Sequence, residues 1–88
     1  MRSMEPYTAQ EIARRGKELY ERRIRASVEP EHEGRFLVVD VESGGYALAD
    51  DELEAFDLAR EKYPEGVLYL LRVGHRAAHR IGVGAPRP

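Results

Sequence analysis

The chain of 88 residues has no cysteine, no tryptophan and only two phenylalanines. Without cysteine there are no disulfides and no thiolate metal sites, and nothing points to an oxidising compartment. No apolar run approaches the ~18 residues of a membrane span, and the first thirty residues are too charged for a secretory signal. A cytoplasmic location and no membrane partner are therefore expected. A serine-based catalytic motif is also missing: Ser3, Ser27 and Ser43 stand in no nucleophile signature. Gly44-Gly45 sits between two apolar runs and not ahead of a helix, so no phosphate loop is present. Nor is there an excess of one charge. The formal net charge is −2, which argues against a general nucleic-acid coat.

What is present is charge of both signs, 34% of residues, with twelve arginines among the fourteen basic side chains. The charges are segregated. Asp40–Glu65 holds nine acids and two bases, whereas Val67–Pro88 holds four arginines, two histidines and no acid. The length fits one domain with a thin core, one that buries roughly 60–65% of the unfolded surface.

Met1–Pro6 reads as a frayed leader. Thr8-Ala9-Gln10-Glu11 is a capping box, in which hydroxyl and carboxylate each satisfy an otherwise unpaired amide. It opens a helix expected from about Ala9 to about Ala26, with Ile12, Gly16, Leu19, Tyr20 and Ile24 as its apolar stripe. Val28–Gly34 reads as a polar link broken by Pro30 and Gly34. Arg35–Val41 is a strand apolar on both faces, with Phe36, Val38 and Asp40 on one and Leu37, Val39 and Val41 on the other. It is expected at the centre of a covered sheet. Ser43-Gly44-Gly45 turns the chain into a short edge strand, Tyr46–Leu48.

Asp50, Asp51 and Glu52 then place acids at the start of a second helix. Its buried stripe is expected to be Leu53, Phe56, Ala59 and Tyr63, flanked by Ala55. Val67–Val73 is a further strand, laid beside the first by the helical crossover. His75–Ile81 fits a short strand, a helical turn or an ordered tail, and the Gly- and Pro-rich end 83–88 reads as flexible. The predicted fold is α+β in a single domain over 1–88. A helix precedes a ββαβ unit whose mixed sheet has three strands, or four if the tail pairs.

Three constellations carry possible chemistry. Asp40, with Glu42 and Asp50–Glu52, offers carboxylates of the type that hold divalent ions in nucleases. The simpler reading places Asp40 in solvent near a strand end, with Asp50–Glu52 capping a helix. His75 and His79 would share one face of a helix, but zinc needs further ligands. Arg72, His75, Arg76, His79 and Arg80 form the concentrated basic segment, suited to an acidic protein surface or a phosphate. Alternatively, those arginines pair with the acidic helix of the same chain.

The Thr8–Ile24 helix, the strand Gly34-Arg35-Phe36-Leu37-Val38-Val39-Asp40-Val41-Glu42 and the ending Leu71–Gly82 together resemble small members of bacterial toxin–antitoxin-like gene pairs. The ββαβ order is also similar to that of HicB-like antitoxins, in which such a sheet binds a toxin and cleaves nothing. These resemblances imply a non-enzymatic, antitoxin-like module without cofactor, metal or catalytic residue. Its partner would be another protein or a second copy of itself. Contacts are expected from Arg72, His75, Arg76, His79 and Arg80, with the first helix as a second surface. The alternative is a small nucleic-acid binder using the Arg72–Arg80 segment together with the arginines of the first helix.

Overall fold

The computed structural model describes residues 7–82, with side chains described through residue 74. The ends 1–6 and 83–88, expected to be flexible, lie outside the described residues.

The capping box forms as the sequence dictates. The Thr8 hydroxyl accepts from the Glu11 amide and a Glu11 carboxylate oxygen accepts from the Thr8 amide, both at 3.1 Å. Helix α1 (Ala9–Leu19) runs from this cap into a π-helical turn, Tyr20–Ile24, and then into α2 (Arg25–His32). The turn is forced by the core. Ile12, Gly16, Tyr20, Ile24 and Val28 are all buried, and they recur at strict intervals of four. Each such step overshoots an α-helical turn by about 40°. Absorbing an extra residue in the π turn, where Arg25 donates to the Tyr20 carbonyl five residues back, brings the stripe back towards the sheet.

The helix thus continues beyond the expected end at Ala26, and the predicted link at Val28–Gly34 is largely helical. Val28 supplies the next core position at 2% exposure. The Arg25 guanidinium reaches both Glu21 (2.7 Å) and Glu29 (3.1 Å), bracing the junction. Pro30 costs the last turn one backbone bond, and the helix ends two residues later.

Four strands follow as one sheet: β1 (Phe36–Asp40), β2 (Tyr46–Ala49), β3 (Leu68–Arg72) and β4 (His75–Gly82), in the order β2-β1-β3-β4. Every neighbouring pair is antiparallel, so the sheet is not mixed. Helix α3 (Glu52–Lys62) crosses over from β2 to β3, which run in the same direction. But β1 lies between them, with Leu37 opposite Leu48 on one side and Leu71 on the other, so no parallel pair arises. The segment with three expected conformations is a strand, paired through Leu68–Gly82, Tyr69–Ile81 and Leu70–Arg80.

The sheet is covered on both faces, as the apolar alternation of β1 requires. Leu37, Val39, Val41, Tyr69, Leu71 and Val73 pack under the N-terminal helices. Val38, Ala47, Ala49, Leu68 and Leu70 pack under α3. Each large side chain so buried contributes about 1.5–3 kcal/mol relative to exposure. Gly16 rests directly on the ring of Tyr69, where a Cβ would collide with it. On the other face α3 approaches through Ala55 and Ala59, both fully buried and facing Ala47 and Ala49. The expected stripe is therefore rotated. Leu53 is 68% exposed, and Phe56 only borders the core.

Candidate anion-binding groove

Asp40 is the one charged residue among the buried side chains described, at 4% exposure. It does not face solvent near a strand end, contrary to the simpler reading of the sequence. One carboxylate oxygen accepts from the Glu42 amide (3.2 Å) and the Val67 amide (3.0 Å), and the other from the Ser43 hydroxyl (2.8 Å). Its polar capacity goes into fastening the β1–β2 turn to the start of β3, because buried carboxylates must be hydrogen-bonded. Asp51 caps α3 by accepting from the Glu54 amide, and Asp50 pairs with Arg35 at 2.8 Å. Hydrogen bonding to Arg35 holds the Asp50 carboxyl below its usual range and raises the Arg35 guanidinium. Among the described residues no three His, Asp or Glu side chains group as metal ligands.

The basic segment predicted as the contact surface is not one cluster on a helix. Arg72 ends β3, where its Nε donates to the Gly34 carbonyl (3.0 Å) and its guanidinium lies 5.2 Å from the Phe36 ring centre. Arg72 thus closes the fold near the end of α2. His75, Arg76, His79 and Arg80 belong to β4, at the sheet edge, with His75 opposite Arg72 and Arg80 opposite Leu70. Their side chains lie outside the described residues. The pairing of His75 and His79 on one helical face fails on the backbone alone. Four residues of strand span about 13 Å, against about 6 Å in a helix.

A different basic surface emerges at the junction of α1 and the π turn. Arg14, Arg15, Arg22 and Arg23, all exposed, line an open groove of ≈ 480 Å³ with Leu19 and Val41 as its apolar lining. Glu18 is the single acid along it. In an uninterrupted α-helix, residues eight apart diverge by about 80° around the axis. The widened π turn rotates Arg22 and Arg23 back towards the line of Arg14 and Arg15. The far wall is the β1–β2 turn. Gly44 adopts a φ of +85°, and a Cβ there would lie 3.4 Å from Arg23 Nη1 and 3.6 Å from Leu19 Cδ2. The positive φ of the turn is what favours glycine there, and the turn lies within ordinary contact of the helix.

These arginines are uncommitted. Among the described residues the ion pairs are Arg25 with Glu21 and Glu29, and Arg35 with Asp50. Arg14, Arg15, Arg22 and Arg23 take part in none of them. Arg15 stacks over the Tyr7 ring at 4.9 Å from its centre. The acids of α3 lie on the opposite face of the sheet, so they do not neutralise the groove at close range.

No protein-family model, curated protein or solved structure matches the chain. The site is therefore read from its own geometry. Sequence reasoning placed Arg14, Arg15 and Arg22 on the polar side of a helix and gave the first-helix arginines a supporting part in nucleic-acid binding, without bringing them together as a groove. The signal that would have found the groove is the four-residue interval of the buried stripe, which requires the π turn.

Proposed function

We propose that the protein is a non-catalytic binding module that holds an anionic macromolecule against its N-terminal helix. The observation that carries this reading is the groove of four exposed arginines, none with an ion-pair partner among the described residues. Arginine forks bind carboxylates and phosphates bidentately, and unpaired cations along a groove attract a polyanion before contact. Asp40, the candidate catalytic acid, is spent on three structural hydrogen bonds, which leaves the non-enzymatic reading the simpler one. Relative to the expectation from sequence, the first helix becomes the principal surface and the β4 segment a secondary one. An antitoxin-like role, masking an acidic face of a partner protein in the cytoplasm, is the form this reading takes if the anion is a protein. Among the described residues no helix is long and apolar enough to cross a membrane.

The test is retention on immobilised heparin at low salt. A chain of net charge −2 has no overall reason to bind a polyanion, so retention reports a local basic face. The intact protein is expected to bind and the double variant Arg14→Gln, Arg22→Gln to pass through. Passage of the intact protein would contradict the proposal.

A further inference from the structure

We infer that the groove takes the phosphodiester backbone of a single-stranded nucleic acid; this rests on the anion-binding reading above and specifies its ligand. Three features favour such a strand over an acidic peptide. The cations form two tiers, Arg14 with Arg15 and Arg22 with Arg23, about 12 Å apart along the helix. That spacing exceeds the reach of one phosphate, so the two tiers engage separate charges of a polymer. Half-buried Leu19 offers contact to flat, uncharged surface between the tiers, which unstacked bases possess and acidic side chains do not. The Arg15 guanidinium is also backed by the Tyr7 ring, 4.9 Å from its centre. A guanidinium plane held in this way is a platform on which a base stacks. A duplex keeps its base faces inside the stack and offers the groove only phosphates. Glu18, lying between the tiers, limits affinity and penalises ligands that offer charge alone.

The experiment is fluorescence anisotropy of the full chain with labelled oligothymidylate and oligouridylate of about a dozen nucleotides. Duplex DNA and polyglutamate serve as competitors. Four phosphate contacts predict a plot of log affinity against log salt with a slope of about −3. Arg14→Gln with Arg22→Gln should lower affinity at least about tenfold, and Tyr7→Leu, which keeps an apolar side chain, about tenfold for oligonucleotide only. Arg60→Gln, on α3 across the sheet, should change it less than about twofold. Preference for the DNA or the RNA strand identifies which sugar the groove accepts, and binding of either supports the inference. Oligonucleotide binding that survives the Arg14/Arg22 change, or that is outcompeted by duplex, overturns it. Polyglutamate bound through the groove without oligonucleotide overturns the inference but leaves the anion-binding reading intact, whereas no binding of any polyanion ends both.

Discussion

The Tyr20 hydroxyl accepts a hydrogen bond from the Gly74 amide at 3.3 Å, across 54 positions of sequence, and donates one to Glu29 at 2.9 Å. One phenol thereby joins the π turn, α2 and the β3–β4 turn. Because Glu29 is also held by Arg25, the network fixes the helix junction that gives the arginine groove its shape.

Removing that hydroxyl by Tyr20→Phe should destabilise the fold by about 1–3 kcal/mol, since the Gly74 amide and Glu29 each lose a partner. Urea denaturation measures it. A change below about 0.5 kcal/mol would show that the network does not hold the junction.

The same residue gives a pH dependence. Burial, with the Glu29 hydrogen bond assisting, pushes the Tyr20 phenol up to about 12. Burial raises Tyr69 as well. Each folded value lies above the unfolded value near 10, so the unfolded state releases its protons first. The Tyr20 contribution to stability is complete below about pH 10 and is lost as pH rises towards 12, and Tyr69 acts in the same direction. Stability should decline across that window, and less steeply in Tyr20→Phe. Denaturation curves collected at several alkaline pH values test this, and equal slopes in both proteins would contradict it.

Gly16→Ala sets two effects against each other. Alanine favours a helix by about 1 kcal/mol, but its Cβ would enter the Tyr69 ring. The ring is buried at 2% exposure and has little room to move, so overpacking of about 1–3 kcal/mol should win. In a Tyr69→Leu background the same change should turn neutral or stabilising. A thermal-denaturation double-mutant cycle without coupling would refute the contact.

Asp40→Ala removes the acceptor for the Glu42 and Val67 amides and the Ser43 hydroxyl. Hydrogen bonds to a charged group are worth about 1.5–3 kcal/mol each before relaxation, so a loss of at least about 3 kcal/mol is expected. Chemical denaturation reads it out. Leu53→Gln, by contrast, should fall within about 0.5 kcal/mol of the parent because Leu53 stands in solvent.

The sequence carried the elements whose residues name their own environment. Thr8 and Glu11 announced the cap, the two apolar faces of β1 announced a central strand, and the crossover placed β3 beside it. It hid features that depend on packing between distant segments. Val28 looked like linker because Pro30 follows it, yet the core needed one more helical position. Leu53 looked buried by composition. But Ala55 and Ala59 let α3 sit closer to Ala47 and Ala49 than leucine allows. Asp40 looked catalytic or exposed, because its three hydrogen-bond donors come from segments folded around it. The candidate site was least legible of all. Local charge density pointed to Arg72–Arg80, whereas the groove is assembled by the π turn and Gly44.

The most direct measurement is an amide NMR titration of the isotopically labelled protein with a short heparin fragment, read residue by residue. The account predicts that shifts concentrate at Arg14, Arg15, Leu19, Arg22, Arg23, Val41 and Gly44, while α3 stays unchanged. Shifts confined to β4 or α3, with the α1–π junction silent, would contradict it.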